Sequence, residues 1–540
     1  MEHPPPQTPP HDLLTSAAAD YAAGRLEAAA ATYRKVLAAA SDHPAALHAL
    51  GWIAHRTGDR PAALDLLRRA VAADPSNADA WNNLGIVCAA DGRTADASDA
   101  YRQAIALRPN FAAAYVNIGH AHRDAGRWPD AVYAYETAAR LDPNLAAAYH
   151  ALGTALRESG RPADAVASYR RALELNPASA AEVYNDLGLT FARAGDARLA
   201  EEHLRQAVSL RSNDPKPRRN LGRLLLRLGR GAEAAEVLAE LARAGTAPAD
   251  VHHDLAVALA QTGRLDQAVE HFRRAVALRP DDAEGYCNLG LALEDHGDTA
   301  GAAAAYGRAR DLKPDSAAIA YHHAALTGHA PPPACPPQYL VPLFDGYADR
   351  FDEHLVTTLH YVGPELLWDA VAAVTDRSAL SLIDLGCGTG LCGVLFRPIA
   401  SRLVGVDLAP RMIAKSRQRG VYDELVRADI VDALRQRPRS ADLILAADVF
   451  IYAGELTTVF GAVRDALKPG GLFAFTVESI DDGTGDFVLR PTRRYAHSPA
   501  YLRRLAMEVG LTEQYVKPAT LRAGETGDVA GLVFVFARSE

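Results

Sequence analysis

Cysteine is scarce: the chain of 540 residues holds five, at Cys88, Cys287, Cys335, Cys387 and Cys392. They are scattered, odd in number and never spaced C-x-x-C, so neither a disulfide framework nor a zinc or other metal site is indicated. Long apolar runs are missing as well, and no stretch approaches the length that crosses a bilayer. The opening segment, 1–12, is rich in proline and histidine and lacks the charged-then-apolar order of a secretory signal. Basic excess is absent: 57 Lys and Arg stand against 66 Asp and Glu, a net charge of −9. A nucleic-acid binder would instead show a basic stripe. The histidine pairs His252-His253 and His322-His323 do not read as metal ligands, because adjacent residues on a helix do not share a face. These absences lead to the expectation of a soluble, cytoplasmic protein of several domains with no membrane or nucleic-acid partner.

What is present first is a period. Glycines fall at Gly24, Gly58, Gly92, Gly126, Gly160, Gly195, Gly229, Gly263 and Gly297, spaced by 34 except for one step of 35. An alanine follows each by five positions, from Ala29 to Ala302, and a glycine or alanine precedes it by seven, as at Gly51, Gly85 and Gly119. Prolines close most units, at Pro75, Pro109, Pro143, Pro177, Pro280 and Pro314; units six and seven carry Ser212 and Thr246 instead. The glycine allows a tight left-handed turn between two helices, and the proline stops the second. Small residues let the helices approach, while Trp81, Tyr101, Tyr115, Tyr135, Tyr149 and Phe272 fill the gaps. One pair cannot bury its apolar face, so units must stack. This pattern is similar to the tetratricopeptide repeat family, with nine units and a final capping helix over 10–328.

Two residues before the glycine or alanine of the first helix stand Asn83, Asn117, Asn220 and Asn288, with Asp186 and Asp254 in register. Amides so spaced suit a protein or peptide partner in extended form, whose N–H and C=O groups also recur regularly. The other reading is that asparagine is simply usual at this place in the repeat. The proline-rich stretch 329–338 reads as a stiff extended linker.

Beyond it, the residues after 338 change character. Leu382-Ile383-Asp384-Leu385-Gly386-Cys387-Gly388-Thr389-Gly390 is a strand that ends in an acid and turns through three glycines into a helix over Leu391 to Ile399. Glycine there admits positive φ and close approach of a ligand, and the helix N-terminus offers N–H groups to an anion. Further strands end in acids at Asp407, at Asp429 with Ile430 beside it, and at Asp448; a fifth, Leu472 to Val477, follows Lys468-Pro469-Gly470-Gly471. Strands alternating with helical stretches argue for a parallel, doubly wound α/β sheet, with ligands beyond the carboxyl ends of its strands. Thr512 to Ala519 and Leu532 to Ala537 read as closing strands, the last antiparallel, after a helix from Pro499 to Val509 capped by Ser498. Gly388-x-Gly390-x-x-Gly393 also fits a dinucleotide fingerprint with Asp407 at a suitable distance. That fingerprint accounts for neither Asp384, nor Asp429-Ile430, nor the K-P-G-G turn.

From about Leu343 onward the sequence resembles the class I S-adenosylmethionine-dependent methyltransferases, whose D/E-x-G-x-G-x-G motif is matched by Asp384, Gly386, Gly388 and Gly390. The resemblance implies a Rossmann-like domain over 339–540 with a mainly parallel seven-stranded sheet and S-adenosylmethionine as methyl donor. It implies that Asp407 takes the ribose and Asp429 with Ile430 the adenine, with Cys387, Leu408 and Asp448 also binding the cofactor. The stretch Phe344-Asp345-Gly346-Tyr347-Ala348-Asp349-Arg350-Phe351-Asp352 resembles the helix before the core of small-molecule methyltransferases, which makes Tyr347 and Phe351 its lid. The whole arrangement resembles a bacterial group of methyltransferases fused to tetratricopeptide repeats. A general base is needed only where the acceptor must lose a proton; Asp448, His497 and Glu478, in falling order, are the candidates, with Tyr495 and His497 read as loop residues. The expected function is methyl transfer, with the repeats recruiting a protein partner or substrate. The alternative is a repeat scaffold whose methyltransferase domain binds S-adenosylmethionine but is catalytically minor.

Overall fold

The structure, a computed structural model, describes residues 10–211, 214–243, 247–524 and 527–539. Ser212 and Thr246 therefore lie outside the described residues. The chain forms two compact units, Met1–Ala247 and Pro248–Glu540.

Helical pairs fill the first unit, from Pro10–Ala22 with Leu26–Ala39 to Pro215–Arg227 with Gly231–Ala242. The two glycines of each repeat do different work. The turn glycines, Gly24 to Gly297, have φ between +69° and +89° with open space around them, so conformation selects glycine there. At Gly85 a Cβ would stand 2.5 Å from the Tyr101 ring, and at Gly119 the same distance from Tyr135. At these upstream positions the partner helix packs its ring directly on the backbone. The one-residue insertion in the period is taken up by a 3₁₀ turn, Pro177–Ser179, ahead of a helix of 15 residues, Ala180–Ala194.

The asparagine row, expected to suit an extended partner, also bonds within the solenoid. All four are half-buried, and each amide is bonded to the first helix of the preceding repeat. Asn117 Nδ2 donates to Asn82 Oδ1 at 2.9 Å and Asn220 Nδ2 to Asn185 Oδ1 at 2.8 Å. Asn83 lies 2.8 Å from His48 Nε2, and Asn288 lies 2.9 Å from His253 Nε2. These bonds stitch neighbouring repeats and engage one donor of each amide.

The second unit holds the last two repeats, the capping helix Ala317–Thr327 and the α/β domain. Its strands are β1 (Leu380–Leu385), β2 (Ala400–Asp407), β3 (Glu424–Arg427), β4 (Ala441–Ala446), β5 (Leu467–Ser479), β6 (Phe487–Leu489), β7 (Tyr495–His497), β8 (Leu511–Gly524) and β9 (Gly527–Arg538). The parallel core runs β3-β2-β1-β4-β5. Antiparallel β9 pairs with β5 from Leu472 to Glu478 and carries β8 outside it. The sequence reading of a seven-stranded sheet omits the short hairpin β6–β7, whose β7 pairs with the far end of β5 at Glu478 and Ser479. The helix after β1 is shorter than expected: Leu391–Phe396 is α-helical and Arg397–Ile399 closes as a 3₁₀ turn.

The segment 329–338 is not a spacer. Cys335 N donates to Tyr452 O at 2.8 Å, and Gly454 N and Glu455 N both donate to Pro333 O at 2.9 Å. Tyr495 Oη donates to Pro332 O at 2.5 Å, and Tyr321 Oη of the capping helix to Arg493 O. Arg493 also pairs with Glu294 of the last repeat and donates to His322 Nδ1 at 2.9 Å. Tyr321, Ala324, Cys335, Leu489 and Tyr495 form an apolar seam. A fragment beginning at Tyr339 loses these bonds, each worth about 1 kcal/mol net, and uncovers the seam. That fragment is expected to unfold at clearly lower temperature than 248–540 in thermal melts; equal melting temperatures would show that the seam contributes nothing.

Candidate active site

A cavity of about 640 Å³ opens at the carboxyl ends of β1, β2 and β4, where doubly wound sheets hold ligands. Asp384, Gly386, Cys387 and Gly388 line it from the β1 turn, and Asp407 and Leu408 from the end of β2. Asp429 and Ile430 line it beyond β3, and Asp448 beyond β4. Gly390 does not line the cavity; it turns the chain at φ +98° and caps the following helix. Three carboxylates thus stand at one end of a single cavity of a size usual for small-molecule sites.

Asp384 is 1% exposed, and its Oδ2 accepts from Tyr422 Oη at 2.6 Å. Burial raises its pKa from the ordinary 3.8 to about 7; the tyrosine bond opposes the rise, and the charge of Asp407 adds to it. The proton is therefore held more tightly in the folded chain than in the unfolded one. Stability from this group is complete below pH about 4 and is lost as pH rises through about 7. The melting temperature of the ligand-free chain is expected to fall across that window, and to fall less in Asp384→Asn. An identical slope in the variant would show that the carboxyl titrates normally.

Asp407 holds the glycine turn. Its Oδ2 accepts from Gly388 N at 2.9 Å and its Oδ1 from Ala409 N at 2.8 Å. Burial pushes its pKa up, and these backbone donors draw it back. Asp429 caps the helix Ile430–Arg435 through Val431 N at 2.8 Å. Burial pushes the thiols of Cys387 and Cys392 well up, which leaves them unreactive packing groups.

The two aromatic residues expected as a lid both reach the cavity, and the acids beside them are engaged elsewhere. Tyr347 and Phe351 line the cavity, their rings 5.3 Å apart and edge to face. Phe351 comes within 3.6 Å of where a Cβ on Gly388 would stand. Asp345 accepts from Arg411 N at 2.9 Å, and Asp349 from Arg411 Nη2 at 2.6 Å. Asp352 accepts from Thr389 Oγ1 and pairs with Arg419, whose Nε donates to Thr389 O at 2.6 Å. The acids of the aromatic stretch therefore pin the lid to the glycine turn and to the helix after β2, Pro410–Arg419.

The far end of the cavity is organised by a residue the sequence reading missed. Arg522 of β8 is 1% exposed, lines the cavity, and pairs with both Asp448 and Glu478. Asp448 has φ +58°, unusual for a side-chain-bearing residue, and Thr476 Oγ1 accepts from its N at 2.8 Å. Its Oδ1 is buried and without a hydrogen-bond partner. The two other candidate bases are corrected by their surroundings. His497 is not on a loop but in β7, fully buried and outside the cavity wall. Its Nε2 lies 2.9 Å from Ala453 O and 3.2 Å from Gly454 O, and burial lowers its pKa to about 4. Glu478 is also outside the wall, its carboxylate shared between Arg522 and Arg490.

The family model described as "Methyltransferase domain" matches 383–473, the span from β1 to β5. "Tetratricopeptide repeat" matches 14–78 and 54–112, and "Cilia and flagella-associated protein 70 C-terminal domain" matches 110–326. "Ubiquinone biosynthesis O-methyltransferase" of Cereibacter sphaeroides is 29% identical over 128 residues, 21% of this chain and 52% of its own length. The protein of the same name from Xanthomonas oryzae pv. oryzae is 28% identical over 125 residues, 22% of this chain and 52% of its own. The chain thus spans about half the length of the curated relatives it matches. Among solved structures, MamA protein is 27% identical, covering 32% of this chain and 93% of its own at a TM-score of 0.29. A tetratricopeptide repeat protein from Parabacteroides merdae is 17% identical, covering 46% and 97% at 0.39. Among the described residues no helix is long and apolar enough to cross a membrane. The chain carries tetratricopeptide repeats followed by a methyltransferase domain.

Proposed function

We propose that the second unit is an S-adenosylmethionine-dependent methyltransferase acting on an acceptor bound at the Asp448–Arg522 end of the cavity, and that the repeats recruit a protein partner or substrate. The observation that carries the reading is the set of three carboxylates at successive strand ends on one cavity. Their chemistry fits the donor: Asp384 suits its ammonium group, Asp407 its ribose hydroxyls, and Asp429 with Ile430 its adenine. S-adenosylmethionine, when bound, supplies a methyl group already activated on a sulfonium. The chain must then align an acceptor with it, a task in which positioning alone can contribute about 7–11 kcal/mol. Phe351 and Tyr347 cover the glycine turn, and Asp448, at a positive φ, stands in the wall at the acceptor end with its Oδ1 buried and unpaired. Arg522 holds the other oxygen and fixes the carboxylate. The test is to add the full chain and heavy-methyl S-adenosylmethionine to extract of the source cells and identify labelled products by mass spectrometry. A label that enters a discrete compound or protein only when the chain is present is the expected result; no label above the extract alone would discard the reading.

A further inference from the structure

The cavity is electrically divided. Three of its acids, Asp384, Asp407 and Asp429, stand at the glycine-turn end, and the fourth, Asp448, is paired with Arg522. The remaining wall carries two more cations, Arg494 and Arg350. Among the described residues neither forms an ion pair, whereas Arg490 and Arg493 beside Arg494 bind Glu478 and Glu294. Arg494 is firmly placed. It directly precedes β7, its carbonyl accepts from Arg490 N at 2.9 Å, and the next residue, Tyr495, is fixed through Pro332. Leu340, Leu355, Leu359 and Ile451 make the surrounding wall apolar.

We propose, resting on the methyltransferase reading, that the acceptor is an amphipathic molecule with an apolar body and a carboxylate, and that Arg494 is the residue that selects the carboxylate. A guanidinium with no protein carboxylate in an apolar wall offers a planar fork of donors that matches one. Burial raises the pKa of the Tyr452 phenol and the charge of Arg494 opposes the rise, which leaves it at about 12 and places that charge beside a hydroxyl of the cavity wall. Arg350 adds a second positive charge to the same cavity wall.

Benzoate and the uncharged isostere benzamide test the proposal on the full chain saturated with S-adenosylhomocysteine, by ligand-observed nuclear magnetic resonance. Benzoate is expected to bind and benzamide not. Arg494→Gln should weaken benzoate by about tenfold or more, the scale of a lost charge-assisted bond, while Arg494→Lys retains part of it. Affinity for S-adenosylhomocysteine should be the same in all three proteins. Equal binding of benzamide, no binding of benzoate, or full binding of benzoate by Arg494→Gln overturns the proposal. A loss of S-adenosylhomocysteine affinity in Arg494→Gln also overturns it, by giving the arginine to the cofactor. A parent chain that fails to bind S-adenosylhomocysteine at all defeats the methyltransferase reading instead, and the two failures are therefore distinguishable.

Discussion

Replacing Asp407 by alanine is expected to weaken S-adenosylmethionine binding by about 3–6 kcal/mol, a factor of roughly 10² to 10⁴. The figure is that of two hydrogen bonds from ribose hydroxyls to a carboxylate, each worth about 1.5–3 kcal/mol net. The structure gives a reason to look toward the upper end. The same carboxylate accepts from Gly388 N and Ala409 N, so alanine also releases the turn that approaches the ligand. Asp407→Asn separates the two effects. Its amide keeps one accepting oxygen but must present N–H₂ to the other backbone donor, so one of the two anchors fails. Calorimetry with S-adenosylhomocysteine should place asparagine between the parent and alanine. Unchanged affinity in the alanine variant would remove Asp407 from the site.

The parts of this site that could be read in the sequence are those encoded within a few residues. The acid-then-glycine turn after β1 and the acids closing β2 and β3 depend on local chain geometry, and all of them except Gly390 reach the cavity. The third glycine of the dinucleotide-like fingerprint shows how local spacing misleads. A Cβ on Gly393 would stand 2.4 Å from the Tyr422 ring. It is glycine because that tyrosine crosses to reach Asp384, a contact over 38 positions that no short motif contains.

Long-range partners account for the rest. Arg522 lies three residues beyond the closing strand read at Thr512 to Ala519, and nothing near it in the sequence marks it as buried. The β6–β7 hairpin has strands of three residues among many charges, too short for an alternating pattern to show. The asparagine row recurs faithfully, but recurrence says what repeats and not what it faces. The proline-rich segment misleads for another reason. Proline lacks an N–H and suggests a spacer, yet its carbonyl remains a full acceptor. Pro332 and Pro333 accept bonds from Tyr495, Gly454 and Glu455, which ties the segment into the fold.

Removing the buried guanidinium should be the most damaging single change to the second unit. Arg522 is 1% exposed and faces Asp448 and Glu478, whose side chains are 16% and 3% exposed. Arg522→Met fills the space with an apolar chain but leaves both carboxylates facing it. Breaking a buried pair from one side costs about 3–5 kcal/mol, because the remaining charge keeps its desolvation without its partner. Arg490, still bonded to Glu478 at 2.7 Å, limits the loss there. Lysine at 522 is expected to restore only part of the stability, since one ammonium cannot span two carboxylates as a fork does. Full-length unfolding is not two-state, so the relevant transition is the one that S-adenosylhomocysteine raises. It should fall by on the order of 10 °C in Arg522→Met. Adding Glu478→Met should return part of that fall, because replacing both members of a buried pair by apolar groups removes the uncompensated charge. The coupling between the two substitutions is therefore the decisive quantity. Simple additivity, or a loss below about 1 kcal/mol, would mean that Arg522 behaves like a solvated surface ion pair, and Asp448 would then need another anchor for its inward turn.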